Sequence, residues 1–196
     1  FGSNNTKGLT LKLHRNINNH SISLVADGTS SDGISVAPTG TEDDGYDANN
    51  MTLNTHSKYN GYDIRTTLIR RSSDSDLDGG SGDDLDYTAE NNMNLYQLSS
   101  KIDNSKGFSN FTFSRTEYDR DYHNGTEHDE YDSTSNTYLL TNTVLNDKWD
   151  ITPGIEYEYF DGSFRNRGSY TASVDTDGEN VGYFLNGNLI ASDKLL

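Results

Sequence analysis

Apolar and polar residues alternate along this chain with a period of two, and the apolar positions are too few to fill a core. In "KGLTLKLHR" at 7–15, Leu9, Leu11 and Leu13 fall on one side, and Thr10, Lys12 and His14 on the other. Successive strand side chains face opposite sides of a sheet, so this is a strand with one apolar face. "SISLVA" repeats the pattern with Ile22, Leu24 and Ala26. The longest run, "WDITPGIEYEY", aligns Trp149, Ile151, Pro153, Ile155, Tyr157 and Tyr159. "VGYFLNGNLIA" adds Val181, Tyr183, Leu185 and Leu189, and weaker runs occur near 50–58, 61–71, 93–102, 107–117 and 137–145. No segment has a helical period.

Composition decides what such strands can build. Only 31% of the 196 residues are hydrophobic, and 15 Lys and Arg against 31 Asp and Glu give a formal charge of −16. With Leu, Ile, Val and Phe together below a fifth of the chain, those values fall in the range of disordered chains, but thirteen tyrosines, two prolines and the regular alternation oppose disorder. The charge excludes a general nucleic-acid binder, which needs a basic face. There is no cysteine for a disulfide or a thiolate metal site. No window approaches the ~18–20 apolar residues of a membrane helix, and no signal peptide opens the sequence.

A soluble sandwich hides an apolar core between two sheets. A transmembrane β-barrel needs one apolar face, toward lipid, while its lumen stays polar. The connections favour the barrel. Short turns rich in Asn, Asp, Gly and Ser are expected at 16–19, 59–61, 103–106, 146–148 and 192–194, and long polar loops at 28–49, 73–92, 117–136 and 161–179. Their alternation puts all long loops at one end of the sheet and all short turns at the other, the external and periplasmic ends of such a barrel. Strands of ~9–11 residues suit a tilted span of a bilayer, and Tyr138, Tyr157, Tyr159 and Tyr183 near strand ends suit an aromatic girdle. The expected fold is all-β: an antiparallel transmembrane β-barrel fragment of about nine strands, with a tenth begun after Lys194. Single-chain bacterial barrels close on an even strand number, so the whole of 1–196 reads as an arc of a larger barrel.

Two loops gather carboxylates. "DSDLDGGSGDDLD" at 74–86 begins like a calcium loop of the EF-hand, with Asp74, Asp76 and Asp78 at alternate positions and Gly79 at the bend. Its twelfth position is Leu85, where a bidentate Glu is required, so the EF-hand fails. The preceding loop holds Asp32, Glu42, Asp43, Asp44 and Asp47. Calcium takes six to eight oxygens in irregular geometry, so two adjacent acidic loops either clamp it together or are solvated charge. A third stretch, "EYDRDYHNGTEHDEYD", mixes acids with Arg120, His123 and His128. The two histidines either share a transition metal or are solvated, and Tyr118, Tyr122 and Tyr131 either present flat faces to a ligand or pack the loop.

"GISVAPTGTEDDGYD", then two strands about an Asn-Gly turn, then "RRSSDSDLDGGSGDDLDYTAENNMNLYQ", resembles TonB-dependent outer-membrane receptors, and within them the cobalamin receptors. In those receptors a barrel of about 22 strands encloses a plug, and the plug's Ton box engages TonB. The resemblance implies an outer-membrane protein of a Gram-negative bacterium, taking up a corrinoid or another scarce nutrient. The plug, the Ton box and the closing strands are expected outside 1–196. It also implies calcium in the second and third external loops, held by Asp32, Glu42 and Asp44, by Asp74 or Asp76, and by Asp84 or Asp86. Glu42 stands where the family pattern has Asp, and the third loop has more aspartates than the pattern needs. An iron-chelate (siderophore) receptor is the sibling reading, left open by Arg115, Arg120, Arg165 and Arg167. A calcium-dependent surface adhesin is the reading from another class. No nucleophile elbow, metalloprotease helix or phosphate loop points to an enzyme.

Overall fold

The computed structural model describes residues 3–35, 39–41, 43–79, 82–169 and 171–189. They form one antiparallel sheet of nine strands: β1 (Lys7–Ile17), β2 (His20–Ser31), β3 (Tyr46–Tyr59), β4 (Tyr62–Asp76), β5 (Tyr87–Asn104), β6 (Gly107–Asn124), β7 (Glu127–Leu145), β8 (Trp149–Arg167) and β9 (Ala172–Leu189). The strands lie side by side in chain order, each paired with its sequence neighbours.

Tight turns fix the register. Asn60 and Gly61 both take positive φ (47° and 81°), which the Asn-Gly hairpin turn between β3 and β4 requires. At Asn104 the side chain accepts a hydrogen bond from the Lys106 N–H at 2.9 Å, turning the chain into β6. The expected short turns at 16–19, 59–61, 103–106 and 146–148 are all present, while 192–194 and any tenth strand lie outside the described residues.

The register sorts every side chain onto one of two faces. Leu11, Ala26, Met51, Arg70 and Asn94 follow one another across five strands, as do Ile64, Ser100, Phe111, Leu140, Ile155 and Tyr183 across six. This outer face carries a continuous apolar band. Its residues are solvent-exposed in the isolated sheet: Leu9 at 78%, Tyr183 at 78% and Leu189 at 81%. On β8 the band runs from Trp149 to Tyr159. Ten steps at ~3.3 Å make about 33 Å of strand, or about 25 Å of depth at ~40° tilt, the height of a lipid-facing band.

The opposite, inner face is polar and more sheltered. Along β5 the inner Ala89 is buried and Met93 and Leu95 are half-buried, whereas the outer Tyr96, Leu98 and Ile102 are exposed. Glycines on this inner side admit rings from the neighbouring strand. A Cβ on Gly154 would lie 2.2 Å from Phe184, and one on Gly178 2.5 Å from Phe160. Among the described residues only Ala89, Ser31 and Thr143 are buried, so this is a single-layer wall, held by its hydrogen-bond ladder and by what covers its apolar side.

Two expectations need correction. Segments 117–136 and 161–179 are not long loops. β6 and β7 continue to Asn124 and Glu127 and close on Gly125 (φ 57°) and Thr126, and only 168–171 separate β8 from β9. The other two loops shrink to 32–45 and 77–86. Strands are accordingly 11 to 19 residues long, and Tyr138, Tyr157, Tyr159 and Tyr183 lie within them rather than near their ends. The alternation persists above the apolar band, but with polar residues on both faces, and polarity alone reads as loop.

Candidate functional site

The upper third of the wall gathers carboxylates on its outer face and aromatic rings on its inner face. Across the top of the outer face, Asp47, Asp74, Glu90, Asp121, Glu130 and Arg165 are consecutive partners from β3 to β8. Five carboxylates therefore stand in one row, and like charges directly opposite each other destabilise a sheet. Between β2 and β5 the row borders a cleft of about 510 Å³ lined by Asp32, Asp43, Asp47, Asp74, Asp76 and Glu90.

Backbone contacts hold this cleft together. The Asp76 N–H donates to the Gly45 carbonyl at 2.9 Å, tying the 32–45 loop to β4. Gly33 has φ +71°, and a Cβ there would lie 1.8 Å from the Asp44 carbonyl oxygen. Only glycine fits that approach. Thr41 donates from its N–H (2.8 Å) and its hydroxyl (2.9 Å) to Asp83, joining the two acidic loops. Gly33→Ala is expected to open the 32–45 loop at a cost of about 1–3 kcal/mol. Hydrogen exchange at the Asp76 amide checks this, with faster exchange expected in the variant.

The predicted calcium ligands divide. Asp32, Asp74 and Asp76 share the cleft, joined by Asp43, Asp47 and Glu90. Asp44 buries its Oδ1 beside the Gly33 approach. Asp84 accepts a hydrogen bond from Asn124 Nδ2 at 2.9 Å and packs on Gly79, away from the others. Asp86 is exposed and does not line the cleft. Glu42 lies outside the described residues. Glu90 is a cleft residue that loop reading missed; its signal is register, because it stands opposite Asp74.

A second outer-face concavity, of about 580 Å³, collects Glu117, Asp119, Asp132, Asp161, Asp175 and Asp177 around Arg165. Asp119 and Asp132 are direct cross-strand partners beyond the apolar band. Partial burial, and then the hydrogen bond shared with Asp132, push the Asp119 carboxyl above the usual range.

The inner face at the same height is of another character. Tyr118, Arg120, Tyr122, Tyr131, Phe164 and Val174 line a cleft of about 570 Å³. Tyr131 and Phe164 have ring centroids 4.7 Å apart, and Tyr122 meets Tyr131 edge-on at 6.3 Å. The Arg120 guanidinium lies 4.4 Å from the centre of the Tyr122 ring. Its Nε–H is buried and has no acceptor among the described residues. The three tyrosines were visible in the sequence as candidate flat faces. Phe164 and Val174 join them only through the β7–β8 and β8–β9 pairing.

An antiparallel, up-and-down sheet with an apolar outer band and a polar inner face is the wall of a transmembrane β-barrel. No protein-family model and no curated protein matches this chain. Two solved structures share the fold. One is the siderophore receptor PiuA from Acinetobacter baumannii, with a TM-score of 0.54 and 9% identity, matching 95% of this chain and 45% of that one. The other is the ferric yersiniabactin uptake receptor FyuA from Yersinia pestis, with a TM-score of 0.56 and 13% identity, matching 89% of this chain and 33% of that one. This chain spans less than half the length of either receptor.

Proposed function

We propose that this chain forms part of the barrel of a TonB-dependent outer-membrane receptor and that its cargo is an iron chelate. One observation carries the choice of cargo: the inner-face cleft of Tyr118, Tyr122, Tyr131 and Phe164 around Arg120, whose buried Nε–H has no acceptor among the described residues. Flat rings recognise the catecholate, phenolate or heteroaromatic arms of many chelators. A guanidinium donor suits the negative charge that ferric chelates commonly carry. The likeness to two iron-chelate receptors supports the same reading. The corrinoid reading has no comparable support. On the proposed reading, passage draws energy from TonB acting on a plug inside the closed barrel.

The experiment is isothermal titration calorimetry of the intact protein in detergent, with ferric chelates and cyanocobalamin as separate titrants. Saturable binding of a ferric chelate, weakened about tenfold by Arg120→Ala or Tyr122→Ala (about 1.4 kcal/mol), supports the proposal. Binding of cyanocobalamin alone, or equal affinity in the variants, sinks it.

We further propose that calcium orders the two acidic loops, bound in the cleft of Asp32, Asp74 and Asp76 with Asp43, Asp47 and Glu90. A hard cation that accepts irregular oxygen sets suits such a site, and the like-charge row gives it a reason to be there. A calcium-dependent adhesin would need a two-sheet core, and the described residues form a single layer.

A further inference from the structure

We propose that Asp121, His123 and His128 form a site for a borderline divalent metal ion such as Zn²⁺, at the tip of the β6–β7 hairpin on the outer face. The site stands on its own geometry, independent of the cargo and of calcium. His123 and His128 are direct cross-strand partners, one residue from either end of the two-residue turn at Gly125–Thr126. Asp121 is two residues before His123 and so on the same face, diagonal to His128.

The ladder therefore fixes all three Cβ positions. The imidazole rings stack with centroids 4.1 Å apart at 18°. His128 Nε2 lies 3.1 Å from Asp121 Oδ1. One ligand atom from each residue lies within 4.8 Å of the others, and all three side chains are half-buried. Metal–nitrogen bonds of ~2.0–2.1 Å put donor atoms roughly 3.3 Å apart around a tetrahedral ion. Closing the triad onto an ion thus takes shifts of about an ångström in side chains, with none in the backbone.

The surroundings favour a cation. Asp121 is flanked across the sheet by Glu90 and Glu130. Arg167, the partner of His128 on β8, is drawn to Glu130 at 3.3 Å. Two nitrogens and one oxygen select zinc, nickel or copper over calcium and magnesium. Three protein ligands leave coordination open toward the outside. Because the triad is on the outer face, a metal there lies off the path through the lumen, and its effect is to staple the two strands at the hairpin tip.

The test is electron paramagnetic resonance of the intact, tag-free protein in detergent with one equivalent of Cu²⁺, followed by competition with Zn²⁺. Nitrogen coupling from two imidazoles is expected in the wild type, from one in His123→Gln and in His128→Gln, and from none in the double variant. Gln at 128 keeps a hydrogen-bond donor for Asp121, and retained heat-modifiable migration shows that each variant is folded. Zn²⁺ should displace the copper, and a hundredfold excess of Ca²⁺ should not. Nitrogen coupling that survives the double variant would place the copper on nitrogens elsewhere, such as His14, His20 or His56, and overturn the proposal. So would displacement by calcium, or a wild-type spectrum with oxygen ligands alone.

Discussion

Leu140→Arg is expected to destabilise the intact protein in lipid vesicles by about 2–4 kcal/mol, the cost of a cationic side chain at the midplane of a barrel's lipid face. Leu140 is 51% exposed in the isolated sheet and stands in the middle row of the apolar band, between Phe111 and Ile155. Nothing among the described residues covers it, so the penalty is expected to come from lipid. Thr112→Arg is the control. Thr112 is the next residue after Phe111 and points to the polar inner face, where the charge meets no hydrocarbon and the cost should be clearly the smaller of the two. Urea unfolding of both variants in vesicles measures the difference. Equal losses would mean that neither face meets lipid, and the barrel-wall reading would fall with them.

That asymmetry between faces was the most legible feature of the sequence, because a period of two needs no tertiary information. Leu9, Leu11 and Leu13, or Ile151, Ile155 and Tyr157, identify their own strand and face wherever a residue has an apolar side chain to declare it. Turn chemistry was equally local: Asn60-Gly61 marks a hairpin on its own. The signal failed where the strands leave the apolar band. From Glu117 to Asn136 the apolar alternation stops and charged residues appear on both faces, yet the β6–β7 ladder continues, closed by a glycine turn at Gly125 and supported on the inner side by Tyr122 and Tyr131. Asn124-Gly125 was the missed cue, outweighed by the charge around it.

The sites were less legible, because each depends on register between strands. Asp74 and Glu90 are sixteen positions apart in the chain and direct neighbours in the sheet. Phe164 reaches Tyr131 only through β7–β8 pairing. Reading loops as clusters found Asp32, Asp74 and Asp76 but also gathered Asp84, whose carboxylate is bound to Asn124 instead. Proximity in sequence overstated which acids converge, and it understated which oppose one another.

Asp74→Asn is expected to change the sign of its effect with calcium. Asp74 stands between Asp47 and Glu90 in the row of carboxylates. In EDTA the substitution removes two cross-strand like-charge contacts and should stabilise the protein by up to about 1 kcal/mol. With calcium 100-fold above its dissociation constant, binding to the folded state contributes about 2.7 kcal/mol to the wild type. The variant lacks one charged ligand and loses part of that gain, so it should then be the less stable of the two. Asp84→Asn, outside the cleft, should leave the calcium response unchanged. Denaturant titrations of the three proteins with EDTA and with calcium chloride separate the cases. If Asp74→Asn stabilises equally in both, the row is solvated charge whose repulsion the sheet tolerates. If its sign inverts while that of Asp84→Asn does not, a cation bridges β3, β4 and β5, and the repulsion is relieved only when it is bound.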